Sequence, residues 1–499
     1  MGGINITNII TALAPLIPMY VLFFGAFVAY ILQSDVKRKQ VIFGLLFFNL
    51  VLNSFLCVMH IFYYFNGSNL KGTYITIELI LIFGLIATQF SNNQLKDSPN
   101  KSLYDFLVLI IIFGLIGIVL TTNIMSTVLW FLFLSLIFGV IFFIDNFKKE
   151  LELLKFYFIV LIISAICLIG ATILIYLATG SLELDVINGI QISEELNNFI
   201  SVTLFLGIGL LCGLVPFSIF HLKNYFQDNS YANLLLFTIF IYIISFIAIR
   251  ILNVLSYESL LVSFALMTLL ILGIILSMVY IIIELFTHID GNTYSIKKIF
   301  GYSVVLDFNM VLIFVVFSNL LTTPLNEIFL NSIIYFLLTI FSVKMLIFFT
   351  FYPVTINTDE DNMKLLGGFK NEYRKFGTAL LVSGLIIIVL LGFLFLNNTL
   401  PILFSYEITS NSLYSLTASF VLTVYVLFLI MVLIFISINF NHLYNQNEPQ
   451  YIQRDSAKNI RSIDFMPIMI LLIIIICLSL SYIFIGNFYY DLFKDFFYF

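Results

Sequence analysis

The chain has 499 residues, of which 62% are hydrophobic and only 10% are charged, and its mean hydropathy is +1.12. A soluble fold of this length needs more charge on its surface, so the composition excludes a set of soluble domains and indicates a polytopic helical membrane protein. The apolar runs are continuous rather than alternating, which excludes a transmembrane β-barrel. The net charge of −5 is spread over the polar stretches and indicates no nucleic-acid partner.

Fourteen apolar runs are long enough to cross a hydrocarbon core of about 30 Å. They cover residues 15–32, 41–65, 73–91, 103–121, 124–144, 153–178, 199–220, 231–251, 259–287, 296–318, 328–350, 376–397, 412–440 and 465–486. The fourth and fifth runs are nearly continuous, and the sequence around Thr121–Thr127 predicts a tight hairpin between them. We therefore predict an all-α membrane protein with about fourteen transmembrane helices.

The basic residues divide unevenly between the two sides that these spans define. Eighteen of the 22 Lys and Arg residues lie in or beside the connections that follow odd-numbered spans, and three lie on the opposite side. Positively charged loops stay on the cytoplasmic or matrix side, so the pattern predicts that side for the basic loops and the outer side for both termini.

No motif for cofactor or metal chemistry occurs along the chain. The four cysteines lie singly inside apolar runs, and there is no nucleotide-binding glycine loop and no HExxH sequence. We therefore expect no cofactor, no metal and no catalytic centre in this chain.

Several stretches resemble landmarks of one membrane-protein family, in the family's order. Ser295–Ser303 (SIKKIFGYS) opens the tenth span, and Leu154–Leu182 has an aromatic start and a Gly-Ser-Leu exit. Val215–His221 (VPFSIFH) places a proline before a histidine, Ser342–Phe349 (SVKMLIFF) carries a lysine, and Gly367–Phe369 precedes a basic stretch. The chain resembles the antiporter-like membrane subunits of respiratory complex I (NADH:ubiquinone oxidoreductase), chiefly the chain 4 type, and of multi-subunit sodium/proton antiporters.

The resemblance implies a fold with two inverted five-helix repeats, at spans 4–8 and 9–13. It divides the chain into an N-terminal three-helix segment (1–100), a first repeat (101–252), a second repeat (253–445) and a C-terminal helix with its tail (446–499). One helix in each repeat is broken in this family. Pro216 removes a backbone donor inside span seven, and we expect the first break there.

The family moves protons along a mid-membrane row of lysines and acids, and this chain departs from that row at four positions. The fifth-helix acid falls among three apolar residues, the seventh-helix lysine falls on a leucine, the eighth-helix lysine falls near a tyrosine, and the twelfth-helix group is displaced to a glutamate. These positions are Leu132–Leu134, Leu211 or Leu214, Tyr242, and Thr399–Ile402 with Glu407 nearby.

Four ionisable residues remain as candidates for a proton path: Lys344, Asp307, His221 and Glu407. A lysine inside a membrane helix costs about 2.5–3.5 kcal/mol, so something must offset Lys344. It is either a proton relay or a lysine paired with an acid that fixes helix packing, and Asp307 is a plausible partner. His221 is either a relay residue or a capping histidine. Glu78 is an intramembrane acid outside both repeats, facing either a neighbouring subunit or a polar pocket.

The resemblance implies a membrane-arm subunit of a proton-pumping NADH:ubiquinone oxidoreductase, without a redox centre, that contributes to proton translocation coupled to quinone reduction elsewhere. Its partners are then other membrane-arm subunits and lipids, and its location is the mitochondrial inner membrane. The alternatives are a purely structural arm subunit that moves no protons, or a cation/proton antiporter subunit in a bacterial or archaeal plasma membrane.

Overall fold

The computed structural model describes most of the first 358 residues. The described ranges are 16–32, 34–63, 71–94, 100–143, 151–188, 192–212, 231–254, 260–286, 296–321 and 323–358, with the isolated residues 190, 418, 419, 421–423, 425, 426, 471, 473 and 474. These ranges are helices joined by short connections, and nine of their helices are long and apolar enough to cross a membrane. The prediction of an all-α polytopic membrane protein is confirmed.

The described helices divide between two compact units. Nine helices belong to the first unit: α1 (Ile17–Ile31), α2 (Asp35–Tyr63), α3 (Lys71–Gln94), α4 (Lys101–Leu120), α5 (Ile124–Phe143), α6 (Leu151–Thr179), α7 (Leu184–Asn188), α8 (Glu194–Cys212) and α9 (Tyr231–Val254). Three helices belong to the second unit: α10 (Leu260–Phe286), α11 (Ile296–Ser318) and α12 (Thr323–Thr358).

Eleven of the fourteen predicted spans coincide with described helices. Helix α8 begins at Glu194, five residues before its predicted start, and α12 extends past both of its predicted ends. The hydropathy marks only the hydrocarbon core, whereas helices continue into the interface, where they still satisfy their backbone groups. The short helix α7 was not predicted. The last three spans lie outside the described residues, apart from isolated helical positions, so the count of fourteen stays a prediction.

The predicted hairpin between spans four and five is present as a three-residue connection. Helix α4 ends at Leu120 and α5 begins at Ile124. The side-chain Oδ1 of Asn123 accepts hydrogen bonds from the backbone N–H groups of Met125 and Ser126, so Asn123 caps α5. Asn123 also forms an isolated antiparallel bridge with Glu183 in the connection after α6.

Helix packing in the first unit places α4 and α9 inside and parts of α1, α2 and α6 outside. Every residue of the apolar segment Leu234–Leu252 of α9 is buried, and α9 packs against α3, α4, α5, α7 and α8. By contrast, large apolar side chains such as Phe24 in α1, Phe55 in α2 and Leu177 in α6 are exposed. Exposed apolar side chains on these long helices suit contact with lipid tails.

In the second unit, α11 packs against both α10 and α12. Nearly all residues of the membrane-crossing segments of α11 and α12 are buried, so polar side chains on these two helices face protein rather than lipid. This burial determines the surroundings of the candidate site.

Candidate functional site

The structure pairs the two intramembrane charges of the second unit. The Nζ of Lys344 on α12 lies 3.2 Å from the Oδ2 of Asp307 on α11. The Asp307 side chain is 1% exposed and that of Lys344 is 12% exposed. Asp307 lies eight residues into the crossing segment Ile299–Ser318, or about 12 Å along the helix axis, so the pair lies within the hydrocarbon layer.

Aromatic rings border the Lys344–Asp307 pair along both helices. Phe300, Asp307 and Phe314 are seven residues apart on α11 and therefore share one face of that helix. The centroids of the Phe300 and Phe348 rings are 5.9 Å apart, and those of Phe314 and Phe336 are 5.3 Å apart. We call these four rings with the ion pair the aromatic seam. The pair lies between two layers of phenyl rings.

A further ring extends one of these layers. The ring of Tyr425, which is 1% exposed, lies 6.1 Å from Phe314 and 6.3 Å from Phe336, centroid to centroid. Nearby hydroxyl groups bond to their own helices, since Ser303 donates to the carbonyl of Phe300 and Ser342 to that of Leu338. The apolar surroundings make each charge costly alone, so the two charges depend on one another.

The other predicted site residues are distributed differently. His221, Pro216 and Glu407 lie outside the described residues, so their roles and the predicted helix break stay predictions. Glu78 lies on α3 in the first unit, where its carboxylate accepts hydrogen bonds from the Asn53 amide at 2.6 Å and from the Ser54 hydroxyl on α2. Polar groups of this chain thus lie beside Glu78, and its predicted role stays a prediction.

The resemblance predicts ionisable groups within residues 101–252 at positions that are apolar or aromatic in this chain. Leu134 and Tyr242 are 0% and 2% exposed, whereas Phe133 is 39% exposed. The rings of Phe131 and Phe138 on α5 lie 5.8 and 4.8 Å from the ring of Phe240 on α9, centroid to centroid. Aromatic contacts thus join α5 to α9 close to these positions in the sequence.

A small cavity adjoins this aromatic packing. It has a volume of about 10 Å³ and is lined by Thr127 together with apolar residues of α5, α6, α8 and α9, among them Leu168, Leu204 and Ile247. An ordered water needs about 10–15 Å³ and two or more polar partners, so this cavity is unsuited to holding water. The described interior of the first unit therefore offers no water-filled route at this point.

A cluster of four charges at the first turns of α2 and α4 was not predicted. The guanidinium of Arg38 donates to Asp105 at 2.8 Å and also bonds Asp35, while the ammonium of Lys101 lies 3.0 Å from Asp35. The side chains of Arg38, Asp105 and Lys101 are each at most 4% exposed. From the sequence, Arg38 and Lys101 are interpreted as basic residues of loops. The i,i+3 spacing of Asp35 and Arg38 nevertheless indicates that these two side chains can pair within one helix.

Arg250 is a second buried cation for which the sequence suggested no role. It is 3% exposed, and its Nη1 donates to the carbonyl of Thr121 at 2.7 Å, in the connection between α4 and α5. That connection also bonds the segment after α6, since the N–H of Leu184 donates to the carbonyl of Thr122. Arg250 thus satisfies a carbonyl that the end of α4 leaves without a helical partner.

Comparison of the sequence with protein-family models and with curated proteins gives no match. Three solved structures are similar along nearly the whole chain. A chain of the archaeal membrane-bound sulfane sulfur reductase, a respiratory membrane complex, has a TM-score of 0.73 at 14% identity and covers 98% of both chains. A chain of respiratory complex I from Thermus thermophilus has a TM-score of 0.62 at 14% identity, covering 94% of this chain and 98% of that chain. A chain of the Mrp complex from a Dietzia species has a TM-score of 0.69 at 13% identity, covering 97% and 98%.

These similarities establish the class of fold. The chain has the fold of the antiporter-like membrane subunits, as the order of the sequence motifs predicted. Among the solved structures it resembles chains of large multi-subunit membrane complexes, and at 13–14% identity the likeness concerns the fold alone.

Proposed function

We propose that this chain is an antiporter-like membrane-arm subunit of a proton-pumping respiratory complex of the NADH:ubiquinone oxidoreductase type. The observation that carries the proposal is the buried Lys344–Asp307 pair, held between α11 and α12 in a chain with this fold. Intramembrane ionisable residues are costly and characteristically mark ion or proton pathways. The second half of the chain (residues 253–445) is the part that we expect to move protons.

The pair can exchange a proton in a way that depends on helix position. With α11 and α12 together, the carboxylate of Asp307 stabilises the ammonium of Lys344 at 3.2 Å. A movement that separates the two groups leaves an ammonium among phenyl rings, where the charged form is strongly disfavoured and the proton is released. Redox chemistry elsewhere in the complex would drive that movement, and this chain would supply the proton-binding groups.

A structural role without proton transport is the second candidate. It is favoured by the apolar residues at the family's ionisable positions and by the nearby ring contacts of Phe131 and Phe138 with Phe240. In that role the Lys344–Asp307 pair would fix the packing of α11 on α12 and the chain would keep the membrane arm continuous and sealed.

Neutral replacement of the pair separates these two functions. The double variant Lys344→Met with Asp307→Asn removes both charges, so it avoids leaving one buried charge unpaired. In vesicles containing the assembled complex, we expect fewer protons translocated per NADH oxidised. The exposed lysine Lys37, changed to Met, is the matched control and should leave that ratio unchanged. Full proton transport by an assembled double variant would refute the proton proposal and support the structural one.

Membership in the complex is tested separately. We propose that the chain migrates with NADH dehydrogenase activity when gently solubilised membranes are resolved by native electrophoresis. Migration in a smaller, NADH-inactive assembly with sodium-dependent proton exchange would instead support a cation/proton antiporter subunit, the function suggested by the likeness to the Mrp complex chain.

The proposed location is the mitochondrial inner membrane, with the basic loops in the matrix and both termini toward the intermembrane space. The uneven division of Lys and Arg supports this orientation. The alternative is the plasma membrane of a bacterium or archaeon, the kind of organism named for the three similar structures. Protease protection of tags at the two ends, in sealed mitochondria or inverted vesicles, distinguishes the orientations.

A further inference from the structure

A second polar cluster lies in the first unit, between α2 and α3, and the proposed function does not use it. It consists of Asn53 and Ser54 on α2 and Glu78 on α3. Glu78 lies six residues after Gly72 in the apolar stretch Gly72–Thr88, or about 9 Å from its start, so its carboxylate is inside the membrane layer. An acid at this depth needs specific partners.

The cluster supplies hydrogen-bond donors to both oxygens of this carboxylate. The Nδ2 of Asn53 donates to Oε2 of Glu78 at 2.6 Å, and the hydroxyl of Ser54 donates to Oε1. The same Asn53 Nδ2 also donates to the backbone carbonyl of Tyr74 at 2.9 Å, a bond that the amide gives up when it rotates. Donors to both oxygens stabilise the ionised form of the carboxylate.

The cluster also contains an acceptor suited to the protonated form. The Oδ1 atom of Asn53 has no hydrogen-bond partner among the described residues, and this residue is 0% exposed. A buried acceptor without a donor is costly. A protonated carboxyl is a donor, and rotation of the Asn53 amide by about 180° would present Oδ1 in place of Nδ2 to Glu78.

We propose that Glu78 is a proton-binding group, with Asn53 as the partner that changes from hydrogen-bond donor to acceptor when Glu78 takes up a proton. The proton adds to Oε2, and no covalent bond other than O–H forms or breaks. Glu78 is partly exposed whereas Asn53 is buried, so the proton can arrive from the open side of the cluster. This proposal stands on the first unit alone and does not depend on the Lys344–Asp307 pair.

Among the described residues, Asn53 and Ser54 donate the hydrogen bonds to the Glu78 carboxylate. The other titratable groups on the neighbouring helices lie near it or have partners elsewhere. The thiol of Cys57 on α2 lies within electrostatic reach of it, and Tyr74 is on α3 itself. On α4 the charged residues Lys101 and Asp105 are held in the cluster at its first turn, and on α9 Arg250 bonds the α4–α5 connection.

Dicyclohexylcarbodiimide tests the proposal because it enters membranes and adds to protonated carboxyl groups. The product is an N-acylurea that contains all atoms of both reactants, and mass spectrometry of the peptide containing Glu78 locates it. In native membranes we expect the labelled fraction to fall as the pH is raised, because only the protonated carboxyl reacts. Label that is absent at every pH, or equal at every pH, would overturn the proposal without any variant being made.

Two variants test the role of Asn53. Asn53→Leu removes a bond to the ionised carboxylate that is stronger than the bond to the protonated form, so the labelled fraction at a fixed pH should rise. Thr76→Val is the matched control, because the buried Thr76 hydroxyl donates to the carbonyl of Gly72 on the same helix. Unchanged labelling in a folded Asn53→Leu protein would contradict the proposal. Protection by sodium, but not by choline, would overturn it in favour of a cation site.

Discussion

Removing one member of the Lys344–Asp307 pair should destabilise the second unit far more than removing both. At 3.2 Å and an effective dielectric constant of about 20, the attraction between the charges is about 5 kcal/mol. Placing each charge inside the membrane costs about 2.5–3.5 kcal/mol, so the attraction roughly offsets the two insertion costs. Lys344→Met or Asp307→Leu alone leaves one uncompensated charge and should cost about 3–5 kcal/mol.

The double variant Lys344→Met with Asp307→Leu should cost less than either single variant, because it leaves no buried charge and adds apolar surface to the aromatic seam. The free energy of unfolding can be measured by titration with sodium dodecyl sulfate in mixed micelles, followed by circular dichroism. The control cycle uses Lys101 and Asp35, which lie 3.0 Å apart; because Asp35 is 45% exposed, solvent screens the attraction and the interaction term should be smaller than that of Lys344 and Asp307. If the losses of stability in the two single variants simply add in the double variant, the two charges do not offset one another, and this explanation is refuted.

Substitutions at Arg38 and at two glycines have expected outcomes in the same unfolding assay. Arg38→Met should destabilise by about 3–5 kcal/mol because it leaves Asp105 buried and unpaired, and Arg38→Lys should recover part of that loss; equal stability of all three proteins would contradict the buried pair. Gly273→Ala should cost about 1 kcal/mol, since the added Cβ would lie 3.1 Å from Oδ1 of Asn309. Gly170→Ala has open space around the added Cβ and should be neutral or stabilising. A larger loss of stability for Gly170→Ala than for Gly273→Ala would exclude the close approach.

Much of the helical architecture could be predicted because each membrane-crossing helix is a long apolar stretch that is visible in the hydropathy of the sequence. The division between α4 and α5 is an example. The polar stretch after Leu120 is short, yet it contains Asn123, whose side chain caps the following helix. The short helix α7 could not be predicted in this way, because Leu184–Asn188 is too short and too polar to give a hydropathy signal.

The candidate site was predictable in part. The cost of a membrane-embedded lysine requires a partner for Lys344, and the structure places Asp307 there. The rings around the pair were not predicted, because 57 phenylalanines give no indication of which of them meet between α11 and α12. The role of the pair in proton movement stays a prediction.

The charge cluster of Arg38, Asp105, Lys101 and Asp35 was missed for a physical reason. Hydropathy treats every lysine and arginine near a helix end as a solvated loop residue, and the spacing of Asp35 and Arg38 reveals only the contact within α2. The bond from Arg38 to Asp105 joins residues 67 positions apart, so it depends on how the helices pack. A single sequence does not show which side chains pair between different helices.

The burial of residues 234–252 of α9 has a consequence for how the protein is made. The helices with which α9 makes its main contacts in the described part of the chain (α3, α4, α5, α7 and α8) precede it in the sequence. When α9 leaves the ribosome, the helices to which it docks have therefore already been synthesised. Helix α9 can then replace its lipid contacts with contacts to these helices as soon as it enters the membrane. The first unit can then form around α9 while α10 to α12 are still being translated, so a substitution that prevents α9 from docking should expose the chain to membrane quality control before its second half exists.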